Sequence, residues 1–193
     1  MNREIVIPSI ESVREYLNKF DRNKELVVVE DVLAELFARY PGNQNLRDVL
    51  IKATVLNALY STNIYDIVKM ANHILSKNIG AKLQMGSPEL VDEIARVEMS
   101  GKIRNNYSFA SKFCHWHKPD MYPIFDGYVE QLLWAYREQS SFMEFKRDDL
   151  RKYPRYKEII EGFKNHYGLT QFSLRELDKF LWGYGRQLFE TKQ

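Results

Sequence analysis

Apolar side chains recur at helical spacing along nearly the whole chain. Val13, Tyr16, Leu17 and Phe20 follow one another at intervals of about three and four, which predicts an amphipathic helix opening at residues 11–18. Val29, Val32, Leu33, Leu36 and Phe37 make one stripe of a second helix over residues 26–40, ended by Pro41-Gly42-Asn43. The segment 46–60 is the most apolar of all, with Val49, Leu50, Ala53, Val55, Leu56, Ala58 and Leu59, and predicts a buried central helix. After a turn at Ser61-Thr62-Asn63 the helical period resumes over residues 64–75. Ser87-Pro88-Glu89 places a capping hydroxyl before a proline at the first helical position, which predicts a helix running to about Met99.

The second half of the chain continues the pattern. Residues 101–106 read as a polar break, residues 107–116 as a short helix, and Lys118-Pro119-Asp120 with Pro123 as a loop. Residues 126–136 read as a helix whose natural N-cap is Asp126, with Val129, Leu132, Leu133 and Tyr136 facing inward. Pro154 is expected to interrupt a charged helical tract over 142–166. A last helix over 173–189 carries Leu174, Leu177, Phe180, Leu181 and Tyr184. No hairpin or alternating strand is expected. The fold class this implies is all-α, a compact two-lobed domain of eight or nine helices. It spans residues 1–193 as a single domain, the N- and C-terminal segments pairing as one lobe and 45–135 forming the other.

Composition changes this picture little. Hydrophobic residues at 45% and charged residues at 28% suit a folded globular chain rather than a disordered one. The single cysteine, Cys114, excludes an intramolecular disulfide, a thiolate zinc site and a cysteine-held iron–sulfur cluster. No apolar run approaches the roughly 20 residues of a membrane span and the first ten residues hold no secretory stretch, so a soluble cytoplasmic protein with no membrane contact is expected. Charge is unevenly shared. Residues 1–100 hold 12 basic and 14 acidic side chains, and residues 101–193 hold 16 and 12. Between Gly101 and Pro119 lie Lys102, Arg104, Lys112 and Lys118 without one acidic residue, which is where a polyanion would be met.

Candidate chemistry concentrates between Asn105 and Val129. Lys102, Arg104, Asn105 and Asn106 form a basic, polar connection into a helix N-terminus, whose free N–H groups and dipole suit a phosphate. An ordinary asparagine-rich turn fits the same residues. Asp126 is first a helix cap, and its carboxylate could also steady a cation or orient a water. His115 and His117 project about 200° apart on a helix and lack a third ligand, so no metal is expected, and no cofactor either. Cys114 reads as a small hydrophobe on the inner face. The tract from Lys146 to Tyr167 interleaves seven basic and four acidic residues with aromatic ones, a pattern suited equally to single-stranded nucleic acid and to a solvated helix pair. Trp116, Tyr122, Tyr128 and Trp134 could stack on a base or fill the core.

The run Pro123-Ile-Phe-Asp-Gly-Tyr-Val-Glu-Gln-Leu-Leu133 resembles the segment around the catalytic aspartate of the helix-hairpin-helix DNA glycosylase superfamily, in particular its adenine-glycosylase and endonuclease III-like core. Ser108-Phe109-Ala110 lies where that family carries Lys-Thr-Ala or Ser-Thr-Ala, 18 positions before Asp126 as in the family. The stretch from Ala53 to Asn63 is similar to its buried helix and following turn, and Leu181-Trp-Gly-Tyr-Gly-Arg-Gln187 to its last core helix, so the likeness covers residues 45–189. It implies a partner, double-stranded DNA, from which a base is flipped into a cleft between two helical lobes. It implies Asp126 as the catalytic residue, stabilising an oxocarbenium ion or activating water. Ser108 in place of lysine implies a monofunctional enzyme, since no amine is there to form a Schiff base. Lys102, Arg104, Asn105, Asn106 and Ser108 would meet the DNA.

Two other readings stay open. The family hairpin is close to Leu-Pro-Gly-Val-Gly, and Lys102-Ile-Arg-Asn-Asn-Tyr107 has no glycine, which suits a catalytically inactive nucleic-acid-binding or interaction module. The segment from Phe109 to Val129 also resembles small bacterial or phage proteins with a Pro-Ile-Tyr-Asp core, for which no activity is implied. An unrelated helical protein is the third reading.

Overall fold

A computed structural model describes residues 5–190. The described residues are predominantly helical, 68% of them, with one small two-stranded sheet. The described residues form two units. One takes in the residues up to Lys24 and those from Phe125 onward, the other Glu25–Ile124.

In the first unit, α1 (Ile10–Arg22) starts at Ser9, whose hydroxyl accepts from the Ser12 N–H while the Ser12 hydroxyl accepts from the Ser9 N–H. This reciprocal cap satisfies two donors that a bare helix end leaves open. Helix α8 (Gly127–Ser140) is capped by Asp126, and α10 (Leu174–Phe189) by a box in which Ser173 and Glu176 exchange bonds. Helix α9 (Tyr153–His166) follows a 3₁₀ turn at Arg147–Arg151. Pro154 lies in its first turn, so it opens this helix instead of interrupting one: a proline needs no N–H there. Helix α10 packs on α8 and α1. Gly185 permits it, because a Cβ there would meet the Tyr128 carbonyl oxygen at 2.7 Å. The extended N-terminal segment is tied down by Val6, whose N–H donates to the Tyr184 hydroxyl (2.8 Å) and whose carbonyl accepts from Tyr136 (3.0 Å).

The second unit holds α2 (Lys24–Arg39, its first residue excepted), α3 (Leu46–Tyr60), α4 (Ile67–Ser76), α5 (Gly80–Met85), α6 (Glu89–Ala95) and α7 (Tyr107–His117). Its central helix is α7, not α3. Nine of the eleven α7 residues are buried, whereas α3 buries only the stripe Val49, Lys52, Ala53 and Leu56 and leaves Ala58 and Leu59 exposed. Helix α3 packs on α4 and α7, and α6 packs on α7. On α2 the inward stripe is Leu33 and Phe37, and Val32 is exposed.

The helix expected to reach Met99 stops at Ala95. Arg96–Met99 is a strand, β1, paired antiparallel with β2 (Lys102–Asn105). Ser100 and Gly101 make the two-residue turn between them, both with positive φ (50° and 74°), as the tight turn of a right-twisted hairpin requires. The polar break is therefore a β-hairpin, and the strictly all-helical expectation gives way at this point. The register pairs Val97 with Arg104 and Met99 with Lys102. Directly paired residues share a face, so Lys102 and Arg104 lie on the face of the buried Val97 and Met99, and Ile103 and Asn105 on the other.

Candidate functional site

The hairpin, the turn before α4 and the start of α7 enclose a concavity of about 130 Å³ within the second unit, several times the roughly 10–15 Å³ that one water needs. Asn63, Ile64, Tyr65 and Asp66 line one side, and Met99, Ser100, Arg104 and Asn106 the other.

Each wall is fixed by local chemistry. Asn57 on α3 reaches over the turn: its Oδ1 accepts from the Ile64 N–H (3.0 Å) and the Thr62 hydroxyl (2.7 Å), and its Nδ2 donates to the Ile64 carbonyl (3.2 Å). Ser61 and Asn63 take left-handed backbone (φ 48° and 57°), which lets the chain reverse within three residues. Asp66 caps α4, accepting from the Lys69 N–H at 2.9 Å. Its charge is thereby directed to the α4 N-terminus. Asn106 opens α7 and is held by its own N–H, which donates to the Ala95 carbonyl at 2.8 Å.

The two helix starts differ in one respect. Asn106 makes no side-chain capping bond to α7, and its Nδ2 is buried without a hydrogen-bond partner among the described residues. A buried amide donor left unpaired costs about 1–3 kcal/mol. Arg104 and the N-cap residue of α7 thus meet at one small volume, and the single carboxylate among the lining residues, Asp66, caps α4. The arrangement suits an anion.

Of the residues expected to meet a nucleic acid, Arg104 and Asn106 line the concavity together. Lys102 is exposed on their side of the hairpin and Asn105 on the opposite side. Ser108, in the first turn of α7, accepts a bond from Lys112 Nζ at 2.6 Å, and Lys112 is almost fully buried against the Tyr60 ring. Asp126 lies in the other unit, half-buried, with Oδ1 2.9 Å from the Tyr128 N–H that it caps.

The remaining candidates resolve into packing. Trp116 and Tyr122 are buried in the core, Tyr122 holding the Lys82 and Ser87 carbonyls through its hydroxyl. His115 pairs through Nδ1 with the Tyr122 carbonyl (2.8 Å), and His117 places Nε2 3.3 Å from Lys52 Nζ. Among the described residues no group of three or more His, Cys, Asp or Glu side chains could hold a metal ion. Burial pushes the Cys114 thiol far above its ordinary range, so it is inert as a nucleophile.

Lys52 was not visible as special in the sequence. Its amine is buried and donates to the Tyr40 and Gly42 carbonyls (both 2.7 Å) and to Asn43 Oδ1 (2.8 Å), tying the end of α2 to α3. Burial lowers its pKa to about 8. Burial first, then the positive charges of Lys52 and Lys118, push His117 down to about 3. The neutral imidazole packs against Phe37 and Phe113.

Comparison with known proteins places this geometry. Residues 12–121 match the N-terminal domain family designated HI_0787_N. The chain belongs to that family. The match takes in the hairpin, the concavity and all of α7, and ends before Asp126. An uncharacterised protein of Haemophilus influenzae is 40% identical over 145 residues, which are 75% of this chain and 69% of that one. No solved structure matches this chain. Among the described residues no helix is long and apolar enough to cross a membrane.

Proposed function

We propose that this member of the HI_0787_N family binds DNA, seating a backbone phosphate in the concavity at the start of α7. The observation that carries this reading is that Arg104 and Asn106 line one concavity at the start of α7, a helix whose N-cap side chain makes no capping bond. A guanidinium at the start of a helix is a setting that suits a phosphate oxygen. The reading needs no glycine in the hairpin. In a helix-hairpin-helix motif glycine lets the backbone approach a phosphate; here the glycine of the hairpin, Gly101, lies in its β-turn, and the Arg104 side chain supplies the donor.

The proposal includes the glycosylase-like activity that the Pro123–Leu133 motif suggests. A flipped base would leave its sugar as water adds to the anomeric carbon, with Asp126 steadying the cationic sugar or orienting the water. With a serine at position 108, the reaction would stop at hydrolysis. A non-catalytic DNA-binding role is favoured by one observation: the Asp126 carboxylate is engaged as the cap of α8.

A titration by fluorescence anisotropy separates these. Two labelled duplexes, one intact and one carrying an abasic-site analogue, are titrated at two salt concentrations. Micromolar or tighter binding that weakens with salt supports the phosphate site, and preference for the abasic duplex supports the glycosylase-like reading. Absence of binding to either duplex overturns both.

A further inference from the structure

Tyr65 sits where the phosphate site meets solvent. Among the described residues it is the one aromatic side chain that stands exposed, at 93%, in a chain whose other large rings pack into the two cores or along their edges. It belongs to the turn that walls the concavity, between Ile64, which is buried and held through both backbone groups by Asn57, and Asp66, which caps α4. Its backbone is thus fixed on both sides, and the ring is presented to solvent from a rigid loop. Arg104 and Asn106 line the same concavity.

We propose that Tyr65 is a stacking platform for an unpaired DNA base whose adjoining phosphate occupies the α7 site, so that the preferred ligand is locally unpaired DNA. This rests on the phosphate reading above. The chemistry follows from the build of a nucleotide, which joins a flat π-surface to an anion through one sugar. A site that offers an aromatic face beside a cluster of donors matches both parts at once. A base inside an intact duplex shows only its edge to the grooves, because its faces are covered by its neighbours. Tyr65 can therefore stack only on a base that is bulged, flipped or single-stranded. The ring also gains what it lacks in the free protein, a partner for its apolar faces.

The test uses the full chain and two labelled DNAs of equal length, one fully paired and one with a short unpaired bulge carrying 2-aminopurine. The wild type is expected to prefer the bulged DNA and to quench its 2-aminopurine emission. Tyr65→Ala is expected to weaken binding to the bulged DNA by about 5- to 150-fold, to abolish the quenching and to erase most of the preference over the paired duplex. Tyr65→Phe, which keeps the ring, should retain both properties. Tyr65 is exposed, so neither change disturbs folding. If Tyr65→Ala binds and quenches like the wild type while Arg104→Glu weakens binding, the stacking platform is wrong and the phosphate site stands. If the wild type binds neither DNA, the phosphate reading fails and the stacking proposal fails with it.

Discussion

His117 makes the native state sensitive to acid, and the effect can be worked out from its surroundings. Its ring packs against Phe37 and Phe113 with Nε2 3.3 Å from the Lys52 amine. Burial, Lys52 and Lys118 hold its pKa at about 3, against 6.5 for a free histidine. At pH 7 the ring is neutral in the folded chain and mostly neutral in the unfolded one. At pH 5 the unfolded chain takes up a proton that the native state refuses. The stability this histidine allows is therefore full above pH 6.5 and is lost as pH falls from 6.5 toward 3. Between pH 7 and pH 5 the loss is about 2 kcal/mol, which lowers Tm by about 4–8 °C in a chain of this size. In His117→Gln that contribution is gone, while the carboxylates that titrate in acid remain. Thermal unfolding followed by circular dichroism at pH 7 and pH 5 should show a Tm decline about 4–8 °C smaller in the variant. Equal declines in the two proteins would refute the reasoning, since the proton taken up on unfolding would then lie elsewhere.

Two further predictions concern the first unit. Asp126→Ala removes the acceptor of the Tyr128 N–H and should cost about 0.5–2 kcal/mol, whereas Asp126→Asn should stay within a few tenths. Denaturant unfolding measures both, and both variants should lose base release if Asp126 acts on a sugar. Gly185→Ala should destabilise by about 1–3 kcal/mol, because its Cβ would lie 2.7 Å from the Tyr128 carbonyl oxygen, a backbone atom that cannot swing aside. Gly183→Ala, which meets only the Tyr16 ring at 3.2 Å, should cost less in the same assay.

The long helices were legible in the sequence because each carries its own punctuation. Asn45 and Ser61 bound α3, Asp126 caps α8, and Ser173 with Glu176 opens α10. The hairpin is hard to read from the sequence because its strands have four residues each, too few for an alternating period to stand out beside the preceding helix. The signals available were the Val97–Met99 alternation and the Ser-Gly pair. The degree of burial does not follow apolar content either. Helix α3 is richer in apolar residues than α7, yet α7 is the buried one: its lysine and serines find partners within one helical turn, Lys112 on Ser108 and Ser111 on the Ser108 carbonyl. The role of Lys52 is not legible because two of its three acceptors are the Tyr40 and Gly42 carbonyls, and carbonyls leave no mark in a sequence. Arg104 and Asn106 were legible as a basic turn before a helix. The opposite wall, Asn63 to Asp66, was not, because it is joined to them by tertiary packing, of α4 on the hairpin and of α3 on α7.

The phosphate site is tested most directly by the salt dependence of DNA binding in wild type, Arg104→Glu and Lys77→Glu. Arg104 lines the concavity at the start of α4, and Lys77 caps the opposite end of that helix. Dissociation constants from anisotropy are plotted as log K against log salt. The account predicts that Arg104→Glu weakens binding by about tenfold or more and makes the slope shallower by about one, with Lys77→Glu close to the wild type. Equal weakening by the two substitutions, or none by Arg104→Glu, would show that DNA is not held at the start of α7.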